Sequence, residues 1–275
     1  MNIGRNGREY YICDSVTSDI LILGTSRAEH HYNAQMISDS LGIPCYNAGE
    51  EGCGIVLAYG RLLLLLERYT PNAIIYDVTP GFDYLDMGHD IHNNLKRLKQ
   101  NYDRRGIDSI FWDIDSNERY KMISILYRHN SSFLMDIIEY FFGFHPAKWT
   151  KGFSAFNGEM DNMKVQKDEI IYDSSEGYKY DSLKISYLNK FLDKTKDINV
   201  VFVMSPWWTN IDTLVLGPIK DICTKRNIEL IDFSNNPKYI HHNEFFKDGA
   251  HLNARGADEF TRDLIHELKK RHIIE

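Results

Sequence analysis

Apolar positions along this chain form two kinds of run. Stretches 20–23, 73–78 and 200–204 are short, uninterrupted and rich in β-branched residues, and each ends on Gly, Pro, Ser or Thr. That is the pattern of strands covered on both faces. Asn199 introduces the third, and weaker candidates follow at 229–233 and 45–48. Between them, apolar residues recur at helical spacing over 34–41, 55–69, 214–226 and 257–271. Strand alternating with helix predicts an α/β fold, a flavodoxin-like three-layer sandwich with a mostly parallel sheet and helices on both faces.

The alternation stops over 85–187, which reads as a helical and loop insertion within one domain spanning 1–275, and as a candidate lid. Inside it, Phe133, Leu134, Ile137, Ile138, Phe141 and Phe142 would line one helix face, packed on the main core or along a cleft. Segments 151–158 and 173–180 are aromatic-rich loops carrying Gly and Ser, suited to a lid or to ordinary connections.

Composition narrows the classes. With 275 residues, 43% hydrophobic and 26% charged, the chain can build a sizeable core. Its 32 basic and 39 acidic residues leave −7, so no electrostatic footprint for nucleic acid or an anionic membrane is present. The longest aliphatic run, 62–66, falls far short of the roughly 20 residues a membrane span needs. The polar first nineteen residues lack the apolar stretch of a secretory leader. A cytoplasmic protein is expected, or an envelope or extracellular one if a leader or anchor has been removed. Cys13, Cys45, Cys53 and Cys223 form no CxxC pair, which points to buried thiols, with a Cys45–Cys53 bridge as the alternative in an exported protein. Neither a metal nor an organic cofactor is implied, and the oligomeric state is not legible.

The segment Asp19-Ile-Leu-Ile-Leu-Gly-Thr-Ser-Arg-Ala-Glu-His-His carries the most chemistry. Its strand delivers Ser26 to the carboxyl edge of a parallel sheet, where such folds place ligands, and to the start of a helix whose free N–H groups can hold an oxyanion. Ser26 is therefore either a nucleophile or a helix cap. Near the other end, Phe246-Lys-Asp-Gly-Ala-His sets Asp248 three positions before His251, and a turn of that length can bring a carboxylate onto an imidazole. Arg27 could meet an anionic substrate group or a neighbouring carboxylate. Trp207 and Trp208, beyond the third strand, could stack on a sugar or simply pack. His30 and His31 could reach the cleft from the first turn but point about 100° apart on a helix and make a poor chelate, while the similarly adjacent His241 and His242 read as surface or lid residues, one of which could contact substrate. The glycines at 49, 52 and 54 follow the second strand and lack Gly-x-Gly-x-x-Gly spacing, which argues against a nucleotide cofactor, and no Gly-x-Ser-x-Gly elbow occurs.

In these blocks the chain resembles the SGNH, or GDSL-type, serine hydrolases. Gly24-Thr25-Ser26 is similar to that family's first block, Asn47-Ala48-Gly49 to its second and Asp248-Gly249-Ala250-His251 to its fourth, over residues 19–84 and 198–272. The resemblance implies Ser26 as nucleophile, His251 as general base and then acid, Asp248 as its orienter, and the N–H groups of Ser26 and Gly49 as oxyanion donors. The asparagine of the third block is absent from Asp77-Val-Thr-Pro-Gly-Phe-Asp, so either Thr79 supplies a hydroxyl there or the hole has two donors. The Ser26–Arg27 pair and Tyr46-Asn-Ala-Gly are also similar to alginate O-acetyltransferase-like proteins. The implied activity is hydrolysis of short acyl esters, acetyl above all, on a small molecule or glycan. The alternatives are acetyl transfer to a glycan and non-catalytic glycan binding.

Overall fold

A computed structural model describes residues 5–89, 91–129, 149–160 and 177–274. The face expected from Phe133 to Phe142 lies outside the described residues, as does the first half of the 173–180 loop. Helix α1 (Arg5–Asp14) leads into β1 (Ile20–Gly24), α2 (Ser26–His31), α3 (Ala34–Leu41), β2 (Cys45–Asn47), α4 (Ile55–Leu66) and β3 (Ala73–Asp77). There follow the short helices α5 (Pro80–Asp83), α6 (His92–Leu98), α7 (Ile107–Ile114), α8 (Glu118–Lys121) and α9 (Ile125–His129). After the longer α10 (Ser182–Lys194) come β4 (Asn199–Met204), α11 (Gly217–Arg226), β5 (Glu229–Asp232) and α12 (Ala254–Lys270).

The five strands form one parallel sheet in the order β2-β1-β3-β4-β5. That is the doubly wound, flavodoxin-like order, with its switch point between β1 and β3. Because side chains alternate along a strand, the apolar runs feed two separate cores. Leu21, Leu23, Ile74, Tyr76, Phe202 and Met204 meet α1, α4 and α10 on one face. Ile20, Ile22, Ile75, Val201 and Val203 meet α3 and α12 on the other. Continuous apolar strands are therefore required, whereas a one-faced sheet would have shown alternation. All four cysteines are buried and free, and Cys45 and Cys53 belong to opposite cores, so the bridge considered between them is not formed.

Local chemistry moves two helix starts away from the positions that periodicity suggests. Asn253 accepts from Gly256 N–H at 3.0 Å, which starts α12 at Ala254 instead of 257. The helix expected from 214 is a 3₁₀ turn over Thr213–Leu216 followed by α11, whose first turn takes Pro218, a residue suited to that place. Helix α10 begins in the last residues of the stretch expected to be an insertion and runs beyond it, burying Tyr187, Leu188 and Phe191 in the core that it shares with α4. Helices α6 and α7 cover the outer side of α4 at Gly60, where a Cβ would stand 2.6 Å from Leu98 Cδ1.

Candidate active site

The carboxyl ends of β1 and β3 approach so closely that only glycine fits at 24: its φ is +141° and a Cβ would lie 2.8 Å from Asp77 O. The chain then turns into α2. Thr25 is the cap, its Oγ1 accepting from Arg27 N–H at 3.2 Å. Ser26 sits one residue later, so its hydroxyl is free of the capping duty considered for it and its N–H is one of those a helix leaves without an internal partner. Ser26 Oγ lies 2.8 Å from His251 Nε2.

His251 rides on a small hairpin-like loop closed by a bridge between Phe246 and Leu252. Asp248 Oδ1 accepts from the N–H groups of Ala250 and His251, both at 2.9 Å, which folds the carboxylate back onto the ring. His251 Nδ1 stands 2.9 Å from Oδ1 and 3.1 Å from Oδ2, so Nδ1 carries the proton and Nε2 presents a lone pair to Ser26. Burial works against the Asp248 charge, but these N–H donors and the ring outweigh it and hold the carboxyl below its ordinary range. A serine, an imidazole and a carboxylate thus stand in one hydrogen-bonded line. Chemically, such a line can withdraw the serine proton as Oγ attacks an electrophilic carbon.

No protein-family model and no curated protein matches the chain. Among solved structures, a GDSL-like lipase from Bacteroides thetaiotaomicron aligns with 96% of this chain and 98% of its own, at TM-score 0.42 and 9% identity. An acetyl xylan esterase from the rumen bacterium Butyrivibrio proteoclasticus aligns with 92% of this chain and 63% of its own, at TM-score 0.40 and 10% identity. The chain is similar in fold to GDSL-type esterases.

Several residues expected at the site hold other positions. Gly49 N–H is directed at Asn47 Oδ1, 2.9 Å away, so this amide is already engaged within its own turn. Its glycine identity has a different cause: a Cβ would meet Glu29 N at 2.5 Å and Ala28 Cβ at 2.6 Å, where the turn leans on α2. Thr79 lies just after β3 with its Oγ1 3.0 Å from Thr25 Oγ1, beside the turn that carries Ser26.

Arg27 is 1% exposed and faces inward. It donates to Ala250 O at 2.7 Å, Ser205 O at 2.5 Å, Ser205 Oγ at 2.9 Å and Pro206 O at 3.0 Å. Its guanidinium also lies 3.7 Å from the centre of the Trp207 ring and 3.9 Å from Asp77. Trp207 is 2% exposed and Trp208 6%, with Trp208 Nε1 donating to Asn243 Oδ1 at 2.7 Å. Arg27, Trp207 and Trp208 are therefore packing residues around the site and present no open face to a substrate. The paired histidines also divide: His30 Nδ1 donates to Ser154 O at 2.5 Å and His31 turns toward Ser205, while His241 and His242 lie beyond the Trp208 ring.

Three neighbours of the site escape sequence reasoning. Asn47 ties β2 to α2 by donating to Ala28 O at 2.6 Å and Tyr32 O at 2.9 Å. Asp77 is buried between Arg27, the Tyr32 hydroxyl and Ser205 N–H, and burial raises its carboxyl despite those partners. The strap 149–158 lies across α2, with Trp149 on Glu29 and Ser154 N–H on Glu29 O. It stacks Phe156 on His30 at 3.8 Å and brings the Phe156 ring to 5.6 Å from that of His251.

Proposed function

We propose that the protein is a serine-dependent ester hydrolase. The observation that carries this reading is the line Ser26 Oγ, His251 Nε2 at 2.8 Å, and Asp248 on the far ring nitrogen. Ser26 Oγ attacks the ester carbonyl carbon while its proton passes to His251 Nε2. The imidazolium so formed is stabilised by Asp248, and the tetrahedral oxyanion is met by Ser26 N–H. Thr25 Oγ1 already accepts Arg27 N–H, so it can give its own hydrogen to Thr79 Oγ1 and leave the Thr79 hydrogen to the oxyanion. Collapse expels the alcohol, which leaves with the proton from His251. Water then adds to the acyl-Ser26 carbonyl, giving its proton to the same nitrogen, and the acid departs as Ser26 recovers its hydrogen.

The favoured substrate is a short acyl ester, acetyl above all, on a carbohydrate, in keeping with the sequence resemblance to the SGNH hydrolases. Phe156, half-buried against His251, favours transfer as a second reading. An aromatic strap that keeps water from acyl-Ser26 would let a sugar hydroxyl accept the acetyl group instead. The test is p-nitrophenyl acetate hydrolysis by the wild type and by Ser26→Ala. Loss in the variant of at least about 10³-fold supports the acyl-enzyme, since the nucleophile is removed outright. Equal rates overturn it, and with them both readings. Adding an acceptor sugar then separates them: acetylated sugar formed in preference to acetate marks transfer.

A further inference from the structure

Helix α2 does more than carry the nucleophile. Arg27 and His31 stand four positions apart and so share the face of α2 that looks toward the His251 loop. Arg27 Nη1 donates to Ala250 O at 2.7 Å, the carbonyl just before His251. Leu252 N–H, just after it, donates to His31 Nε2 at 3.0 Å. Because Nε2 accepts, the His31 proton sits on Nδ1, which donates to Ser205 Oγ at 3.0 Å. The ring is fully buried, and burial together with the nearby Arg27 charge keeps it neutral, so the Nε2 lone pair is always available to Leu252. Ser205 also accepts from Arg27 at 2.9 Å, joining the two grips into one unit anchored at the end of β4.

We infer that Arg27 and His31 are positioning residues: from the helix that begins at Ser26, they hold the peptide groups on both sides of His251 and so set the Ser26–His251 distance. Apart from Ser26 itself, the described hydrogen bonds that hold His251 come from its own loop: Asp248 on the ring and Lys247 N–H, which donates to the His251 carbonyl at 2.8 Å. Without the clamp, serine and imidazole belong to segments that can drift independently, and a displacement of about 1 Å costs on the order of 10²-fold in rate. This inference rests on the ester-hydrolase reading.

The experiment measures kcat and KM for p-nitrophenyl acetate in His31→Phe, His31→Gln and Arg27→Lys, each normalised to folded protein by circular dichroism. Phenylalanine fills the volume without an acceptor, whereas glutamine can accept from Leu252 with Oε1 and donate to Ser205 with Nε2. The expected result is a fall in kcat of about 10- to 100-fold in His31→Phe with KM within about twofold. His31→Gln should recover most of it, and Arg27→Lys should lose kcat as His31→Phe does. If His31→Phe does not fold, Arg27→Lys decides alone. A folded His31→Phe or Arg27→Lys at wild-type kcat overturns the clamp, and so does a His31→Gln as slow as His31→Phe. If the wild type shows no Ser26-dependent hydrolysis, the ester-hydrolase reading fails on its own, and amide hydrogen exchange then judges the clamp. Leu252 N–H should exchange at least about tenfold faster in a folded His31→Phe than in the wild type when the sheet amides are unchanged, since phenylalanine offers it no acceptor. Equal exchange overturns it.

Discussion

Replacing Asp248 by asparagine isolates the electrostatic part of the site. The amide Oδ1 can still accept from Ala250 and His251 N–H, as the carboxylate does at 2.9 Å, so the loop keeps its form and what vanishes is the charge. That charge matters when His251 has taken the Ser26 proton and is cationic. With charge centres about 4 Å apart, an effective dielectric of about 20 gives an attraction of about 4 kcal/mol. The Asp248 side chain is 44% exposed. Solvent therefore screens the pair, and roughly half is a reasonable discount, leaving about 2 kcal/mol. At about 1.4 kcal/mol per decade that is about 30-fold in kcat/KM, well short of the ~10⁴ seen when a buried aspartate of this kind is neutralised. The assay is p-nitrophenyl acetate hydrolysis near neutral pH, with Ser26→Ala as the zero. A rate within about twofold of wild type would mean that no imidazolium forms beside residue 248, refuting the base role of His251. A loss of about 10⁴ would instead report that the new Nδ2, standing where Oδ2 lies 3.1 Å from Nδ1, has turned His251 to the tautomer protonated at Nε2.

Two further outcomes concern stability. Glu50 meets Arg8 at 2.8 Å, Arg61 at 2.9 Å and Arg97 at 2.9 Å, so Glu50→Gln leaves the buried Arg8 guanidinium without its carboxylate, while Arg61 keeps Glu9. A loss of about 3–5 kcal/mol in urea unfolding is expected, and a loss under about 1 kcal/mol would contradict it. Burial raises Asp83 to about 7, against hydrogen bonds from Tyr76 and Thr79 that favour its charge. A carboxyl raised in the folded state stabilises most at acid pH and loses that contribution as pH climbs through about 7, at up to about 1.4 kcal/mol per pH unit. Unfolding free energy should therefore fall more between about pH 5 and about pH 8 in the wild type than in Asp83→Asn, and equal slopes would show that Asp83 is ionised throughout.

The sheet was legible because its three central strands are apolar runs rich in β-branched residues between breakers, a signal that needs only neighbouring residues, whereas the edge strands Cys45–Asn47 and Glu229–Asp232 carry it weakly. Ser26 and the Asp248–His251 pair were legible for a similar reason, since each stands in a short block at the end of a strand or before a helix. What surrounds them was not. Whether Arg27 meets a substrate or a row of carbonyls depends on Ser205, Pro206 and Ala250, far along the chain. Whether Trp207 offers its face to a sugar depends on the guanidinium that already occupies it. Gly49 announces a tight approach but not which group its N–H meets, and that group is the side chain of Asn47 two residues earlier. The resemblance to SGNH hydrolases supplied roles for particular residues, while the tautomer of His31 and the strap over α2 follow only from three-dimensional contacts.

The 225 positions from the serine to the histidine it faces also fix when the proposed hydrolase could first react. During synthesis Ser26 leaves the ribosome early, as an ordinary and unreactive alcohol. The imidazole that it meets arrives near the end, on a loop that must be clasped between β4 and the last helix. A prematurely terminated product would carry Ser26 without His251, and on the ester-hydrolase reading would be inert toward any ester it met.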